Sequence, residues 1–244
     1  MTAPDAESHP SPNHGERISG PTDILLLHYT GMPDDAQSLA WLCDKRSQVS
    51  SHYFVHADGR LLHLVPEERR AWHAGAALWG GESDVNSRSI GIEIANAGHP
   101  GGLPEFPDVQ IEALIALCRK VVGRHPIPPH RVLGHSDVAP GRKLDPGERF
   151  PWARLAVAGI GHFVEPSPIA DGAMLQRGDA GKQVEALQAL LALYGYGIDV
   201  TGEFDQRTHD VVAAFQRHFR PARVDGITDR STLDTLQRLL IALP

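Results

Sequence analysis

The hydrophobic periodicity of this chain changes character once, at Phe163-Val164-Glu165-Pro166-Ser167-Pro168-Ile169-Ala170-Asp171-Gly172-Ala173, where two prolines and small residues interrupt every pattern. Before it, short apolar runs between turn signals alternate with an amphipathic helical stripe. After it, only helical stripes remain. The chain is therefore expected to be α/β first, a mixed central sheet flanked by helices, and then a small all-α three-helix bundle. The expected boundaries are a mobile N-terminal extension over 1–20, the α/β domain over 21–165, a linker over 166–173 and the bundle over 174–244.

Several short segments carry the first half. Ile24-Leu25-Leu26-Leu27-His28 reads as a buried strand, closed by Thr30-Gly31-Met32-Pro33. Leu39, Leu42, Cys43 and Arg46 follow at helical spacing. Tyr53-Phe54-Val55 and Leu61-Leu62-His63-Leu64-Val65 flank Asp58-Gly59, which predicts a hairpin. Ile90, Ile92 and Ile94 alternate with Gly91, Glu93 and Ala95, so the isoleucines should face the core and Glu93 the other side of a sheet. Ile111, Leu114, Ile115, Cys118 and Val122 form a helical stripe over 108–122, with Asp108 as N-cap and Gly123 as the stop. Residues 1–20 hold three prolines, two glycines and almost no bulky apolar side chains, hence the expected mobility.

In the second half, Val184, Leu187, Leu190, Leu191 and Tyr194 line one helix. Val211, Val212, Phe215 and Phe219 line a second, and Leu233, Leu236, Leu239 and Leu240 a third. Gly202-x-x-Asp205-x-x-Thr208 and Gly226-x-x-Asp229-x-x-Thr232 echo each other, which two similarly capped helices explain without a duplication. A three-helix bundle could also be a DNA reader. From Pro166 onward, however, 8 Lys and Arg stand against 10 Asp and Glu, a net −2 that is wrong for phosphate.

The chemistry concentrates at His28 and in Gly134-His135-Ser136-Asp137 through Asp145-Pro146-Gly147. Two imidazoles and a carboxylate from His28, His135 and Asp145 make the mixed N/O set that suits zinc and leaves a fourth tetrahedral position for water. A rival uses His135, Asp137 and a later histidine such as His162 as an iron-binding facial triad. The helix over 108–122 argues against it, because such oxygenases are all-β. Lys143 lies two residues before Asp145, so in an extended segment both point to one side. Asp137 is expected to brace the loop or a ligand histidine rather than to bind metal.

Taken together, the strand ending in His28-Tyr29-Thr30, Ser51-His52-Tyr53, Ala71-Trp72-His73-Ala74-Gly75, Ser87-Arg88-Ser89-Ile90-Gly91-Ile92-Glu93 and the Gly134 to Gly147 block resemble zinc N-acetylmuramoyl-L-alanine amidases of the AmpD and AmiD type. The match runs over roughly residues 22–160. The resemblance implies one zinc ion (Zn2+) per chain on His28, His135 and Asp145, Glu93 as catalytic carboxylate and Lys143 as stabiliser of the transition state. His52, Trp72, His73, Arg88 and Asn96 are the candidates for substrate contact. Related recognition proteins that have lost a metal ligand only bind the wall polymer, but all three positions are kept here. Leu175 to Asp179, Val184 to Gln188, Gly195-Tyr196, Gly202 to Asp205 and Val212 to Gln216 similarly resemble a three-helix peptidoglycan-binding module. The implied partner is peptidoglycan or its muropeptide fragments.

Charge and composition narrow the alternatives. With 23 Lys and Arg against 30 Asp and Glu, the net −7 disfavours nucleic acid and anionic lipid as partners. Cys43 and Cys118 form no C-x-x-C pair, so no redox or zinc clip is expected from them. No apolar stretch approaches a bilayer-spanning length and residues 1–20 lack a signal pattern, so the sequence reads as soluble. The compartment stays open between cell envelope, which the substrate implies, and cytoplasm. The oligomeric state is open as well.

Overall fold

The computed structural model describes residues 6–169 and 172–243. Its first unit contains strands β1 (Ala6–Ser8), β2 (His14–Glu16), β3 (Ile24–Tyr29), β4 (Tyr53–Val55), β5 (Leu61–His63), β6 (Arg69–Ala71), β7 (Ser89–Ile94) and β8 (Val132–Gly134). Between them lie helices α1 (Asp35–Cys43), α2 (Val85–Arg88) and α3 (Asp108–Arg124), and beyond β8 come α4 (His135–Val138) and α5 (Trp152–Val157). Six strands form one sheet in the order β1-β5-β4-β7-β3-β8, and β2 pairs with β6 apart from it. Only β4 and β5 run antiparallel, joined by the expected hairpin, so the sheet is mixed.

Alternation along the strands decides which side chain meets which layer. Leu25, Leu27, Ile90, Ile92 and Ile94 pack on one side against Ile111, Leu114, Leu117, Cys118 and Val121 of α3, together with Phe150 and Trp152. Ile24 and Leu26 point to the other side, and His28 follows them in phase. There Gly91 leaves room for the His73 ring, which would lie 2.6 Å from any added Cβ. Helix α3 differs from expectation at both ends. Its N-cap is Pro107 with Asp108 already helical, and it runs past Gly123 to Arg124. The stop is set by Pro126 instead, which holds the preceding His125 extended at φ −116° and ψ 146°.

The extension expected to be mobile over 1–20 is mostly bound, although residues 1–5 lie outside the described residues. β1 adds to the sheet beside β5. Ser11 donates to the Leu42 carbonyl (2.6 Å) and Asn13 to those of Asp44 and Val49 (both 2.8 Å). Arg17 donates to the backbone carbonyls of Glu67, Ser87 and Ser89. Polar side chains satisfying backbone groups do this work, which a reading keyed to apolar residues does not register.

The second unit holds β9 (Ala173–Leu175), α6 (Lys182–Tyr194), α7 (Gln206–Phe219), β10 (Thr228–Asp229) and α8 (Arg230–Ile241). Asp205 and Asp229 cap α7 and α8 by accepting from the Thr208 and Thr232 amides. The echo extends further than those caps. Gln188 accepts from the amides of Thr201 and Gly202, and Gln216 from those of Asp225 and Gly226, so each turn has its own buried glutamine.

The two units share one core. Ile24, Leu26, Trp79, Leu133, Val138 and Ala139 of the first are continuous with Leu191, Tyr196, Val211 and Phe215 of the second. Trp79 sits edge-on to Tyr196 at 4.9 Å and against Gly195, whose φ of +134° and missing Cβ make room for the indole. Linker residues 170 and 171 lie outside the described residues. Among the described residues no helix is long and apolar enough to cross a membrane, and Cys43 and Cys118 are both free.

Candidate metal centre and catalytic cleft

The central strands bring the chemical groups together at their carboxyl ends, where open α/β sheets commonly place ligands. His28, near the end of β3, lies directly opposite Glu93 of β7, while Leu27 pairs with Gly134 of β8. His135 therefore emerges beside His28 on the other flank. The chain then loops out and returns with Asp145, whose carbonyl accepts from the Ser136 amide (2.9 Å). Gly134 permits that return, since a Cβ there would stand 2.7 Å from the Pro146 ring.

His28 Nδ1 and His135 Nδ1 lie 2.9 Å apart, and each is 3.0 Å from Asp145 Oδ2. All three side chains are buried. Their outer partners fix the tautomers. His135 Nε2 is 2.9 Å from the Ala74 carbonyl, which can only accept, so Nε2 carries the proton. Ser89 donates to the Val85 carbonyl (2.6 Å) and accepts from His73 Nε2 (3.3 Å). His73 Nδ1 is left to accept from His28 Nε2 at 3.1 Å. Both histidines thus aim an Nδ1 lone pair at a carboxylate oxygen, three acceptors with no donor among them.

A cation is what such a triangle fits. Its edges are close to the ~3.3 Å expected between tetrahedral ligands about 2.0 Å from zinc. Burial, and next the neighbouring His135, push the His28 pKa down to about 4, so the imidazole is neutral and able to ligate at neutral pH. Burial would raise Asp145, but His135 and His28 beside it hold the carboxyl well below the usual carboxylate range.

Glu93 is in the opposite situation. Burial, and then the Asp145 charge, raise its pKa well above an ordinary glutamate, with Lys143 pulling the other way. Its Oε2 is buried without a hydrogen-bond partner among the described residues. A cleft of about 530 Å³ opens over this group, with His28, Glu93, His135, Lys143 and Asp145 in its wall. Trp41, Tyr29, His99 and Arg142 also line it. Trp41 is 51% exposed, and an aromatic on the polar face of α1 was the one signal the sequence offered for it.

The candidates for substrate contact separate. His73 lines the cleft, from behind His28. Trp72 is half-buried outside the cleft wall, its backbone tied to Ser50. His52 is fully buried, accepting from the Gly91 amide (2.9 Å) and donating to the Arg69 carbonyl (3.1 Å). Asn96 braces a turn through the Pro104 carbonyl (3.0 Å) and the Gly98 amide (2.8 Å). Arg88 is buried against Asp23 (2.5 Å) and Glu82 (2.6 Å). Each of these three satisfies a local buried partner, which is why it is absent from the cleft. Arg88→Ala should accordingly cost about 2 kcal/mol of stability, by leaving Glu82 and the Pro21 carbonyl without their guanidinium donor while Asp23 keeps Arg131. A thermal melt with steady-state kinetics checks this; KM for a soluble muropeptide should stay unchanged. The iron triad also dissolves: Asp137 bonds elsewhere, and His162 Nδ1 meets the Tyr194 hydroxyl at 2.8 Å.

The chain is similar to known proteins over most of its length. Residues 19–148 fit the N-acetylmuramoyl-L-alanine amidase family model, and residues 180–236 the peptidoglycan binding domain model. The N-acetylmuramoyl-L-alanine amidase AmiD of Escherichia coli (strain K12) is 39% identical over 231 residues, covering 89% of this chain and 82% of that protein. The 1,6-anhydro-N-acetylmuramyl-L-alanine amidase AmpD of Enterobacter cloacae is 32% identical over 170 residues, 62% of this chain and 88% of its own. The solved complex of Escherichia coli AmiD with anhydro-N-acetylmuramic acid-L-Ala-D-gamma-Glu-L-Lys superposes with a TM-score of 0.76 at 37% identity, over 96% of this chain and 92% of that one. AmpDh3 from Pseudomonas aeruginosa gives 0.75 at 31% identity, over 98% and 97%. The chain belongs to the N-acetylmuramoyl-L-alanine amidase family and carries a peptidoglycan binding domain after its amidase domain.

Proposed function

We propose that the chain hydrolyses the amide joining the lactyl group of N-acetylmuramic acid to L-alanine, in peptidoglycan or its muropeptide fragments, with one zinc ion on His28, His135 and Asp145. The observation that carries this reading is Glu93 Oε2, buried without a partner among the described residues, on a strand directly opposite His28 and beside three convergent metal donors. Zinc held by these three side chains would supply a Lewis acid and make hydroxide available near neutral pH. Glu93 accepts the proton of the attacking water and delivers it to the departing alanine nitrogen, since an amide anion is too basic to leave. A C–O bond forms and the C–N bond breaks, giving a lactyl carboxylate and a free amino terminus. The Lys143 ammonium holds the charge that grows on the carbonyl oxygen.

The exposed Trp41 ring offers a flat apolar platform for a sugar face. AmiD binds an anhydromuramyl tripeptide, and AmpDh3 has been solved with anhydromuramic pentapeptide, which supports the same substrate class here. The C-terminal domain would hold the polymer near the cleft and so raise its local concentration.

Mass spectrometry of the products from an anhydromuramyl tripeptide and from digested sacculi tests the reading. Free L-alanine amino termini are expected. Binding without their release would instead make the chain a wall-recognition protein. Lys143→Met should lower kcat about 100-fold, the ~3 kcal/mol of a lost oxyanion donor, while zinc content stays stoichiometric. Because Lys143 lowers the Glu93 pKa, the acid limb of the pH–rate profile should also move to higher pH in this variant.

A further inference from the structure

Helix α7 lies along the segment that carries His135, Lys143 and Asp145, and touches it at several points. Arg207 donates to the Pro140 carbonyl (3.1 Å), and Gly141 has no Cβ because Asp210 occupies that space. Val138 and Ala139 share a core with Val211, Ala214 and Phe215. At the far end of the helix, two consecutive residues reach two carboxylates. Arg217 lies 3.4 Å from Glu148, which contacts His99 (3.1 Å) and through it Tyr29 (2.9 Å), both in the cleft wall. His218 Nδ1 donates to Asp137 Oδ2 at 2.7 Å.

Asp137 is the critical group. It has no exposed surface, sits two residues from His135, and accepts from the Gly134 amide (2.8 Å), His218 and the Tyr196 hydroxyl (2.8 Å). Two of its three donors therefore come from the C-terminal domain. The His218 ring is itself clamped between Trp152 (3.7 Å, 19°) and Phe219 (3.8 Å, 6°). Stripped of those two donors, the buried carboxylate keeps only the Gly134 amide among the described residues, so it turns toward water, and α4, which begins at His135, moves with it. The first unit adds its own ties, from Leu78 to the Val138 carbonyl and from Arg142 to those of Ala74 and Ala76, but none of them reaches the Asp137 carboxylate.

We propose that the C-terminal domain is a structural part of the metal centre, with His218 and Tyr196 acting through Asp137 as positioning residues for His135. This rests on the metal-centre reading above. It also departs from simple tethering, under which loss of residues 166–244 would impair action on insoluble sacculi and spare soluble muropeptides.

The test uses full-length variants. His218→Phe keeps the stacked ring and removes the donor. His218→Asn keeps an N–H donor at the place of Nδ1 and removes the ring. Tyr196→Phe keeps the packing on Trp79 and removes only the hydroxyl, so it decides the matter if neither His218 variant folds. The readouts are the rate of zinc release to a chelator, and kcat and KM on a soluble anhydromuramyl tripeptide. Groups that hydrogen-bond a metal ligand directly commonly contribute about 10–100-fold, and the lower end applies to groups acting through one more residue. His218→Phe and Tyr196→Phe should release zinc about 10-fold faster and lose about 10-fold in kcat at unchanged KM, while His218→Asn stays within about two-fold of the parent in release. Unchanged release in His218→Phe and Tyr196→Phe, or faster release in His218→Asn alone, would overturn the inference while leaving the zinc centre standing. A parent chain that takes up no stoichiometric zinc overturns the metal-centre reading, and this inference with it.

Discussion

Asp145→Ala is expected to leave the chain without tightly held zinc and to lower turnover by at least about 10⁴-fold, since Glu93 and Lys143 act on a water and a carbonyl that the metal would activate, and groups that act as a unit fail together. The variant removes the only anion of the donor triangle and leaves two imidazoles. Two nitrogens alone neither close a tetrahedral site nor offset the charge of a dication in a buried setting. Metal analysis after dialysis, alongside kinetics, is the check. Chelator-treated parent protein should lose the same activity and regain it on adding zinc, whereas Asp145→Ala should not regain it. Stoichiometric zinc with normal turnover in the variant would place the chemistry elsewhere.

The residues that were legible in the sequence are those whose role is written in local pattern. Ile90, Ile92 and Ile94 announce a buried strand face by period two, and the same phase puts Glu93 on the opposite side, facing His28. The helix stripes of the second half similarly predict its buried positions, with Leu236 and Leu239 fully inside. His28, His135 and Asp145 could be grouped because few chemistries need that donor set, and the structure brings them within one ion's reach.

What was not legible depends on contacts distant in sequence. Arg88 lies in a motif that resembles a functional block, yet its partner Asp23 is 65 residues away, and no local spacing reveals that. The N-terminal extension looked free because its binding runs through backbone carbonyls of Leu42, Asp44 and Val49 rather than through apolar side chains. The docking of the second unit was hidden for a related reason. Trp79, Val138 and Tyr196 have ordinary sequence surroundings, and only the fold shows that they complete one core.

Glu93→Gln separates the chemistry from the metal most cleanly. The amide matches the carboxylate in shape, cannot take up a proton from water, and should reduce kcat about 10³-fold, within the range general acid–base catalysis contributes. Zinc should remain stoichiometric, because Glu93 is not one of the three donors. Two further signs follow. Acting as a base requires the ionised form, so the parent's kcat/KM should climb with pH along an acid limb that Glu93→Gln lacks. For stability the sign is the reverse of a paired carboxylate. The folded pKa exceeds the unfolded one, so the protonated form is favoured in the fold, and ionised Glu93 destabilises the metal-free chain at pH values above its unfolded pKa. Removing that charge should raise the melting temperature of the metal-free protein at neutral pH while turnover collapses. A catalytic base kept buried and without a donor is held in place at a cost in stability, and a variant that gains stability as it loses activity would be the direct measure of it. A drop in melting temperature with full zinc and normal turnover would mean that Glu93 is a packing residue and that the proton moves through another group.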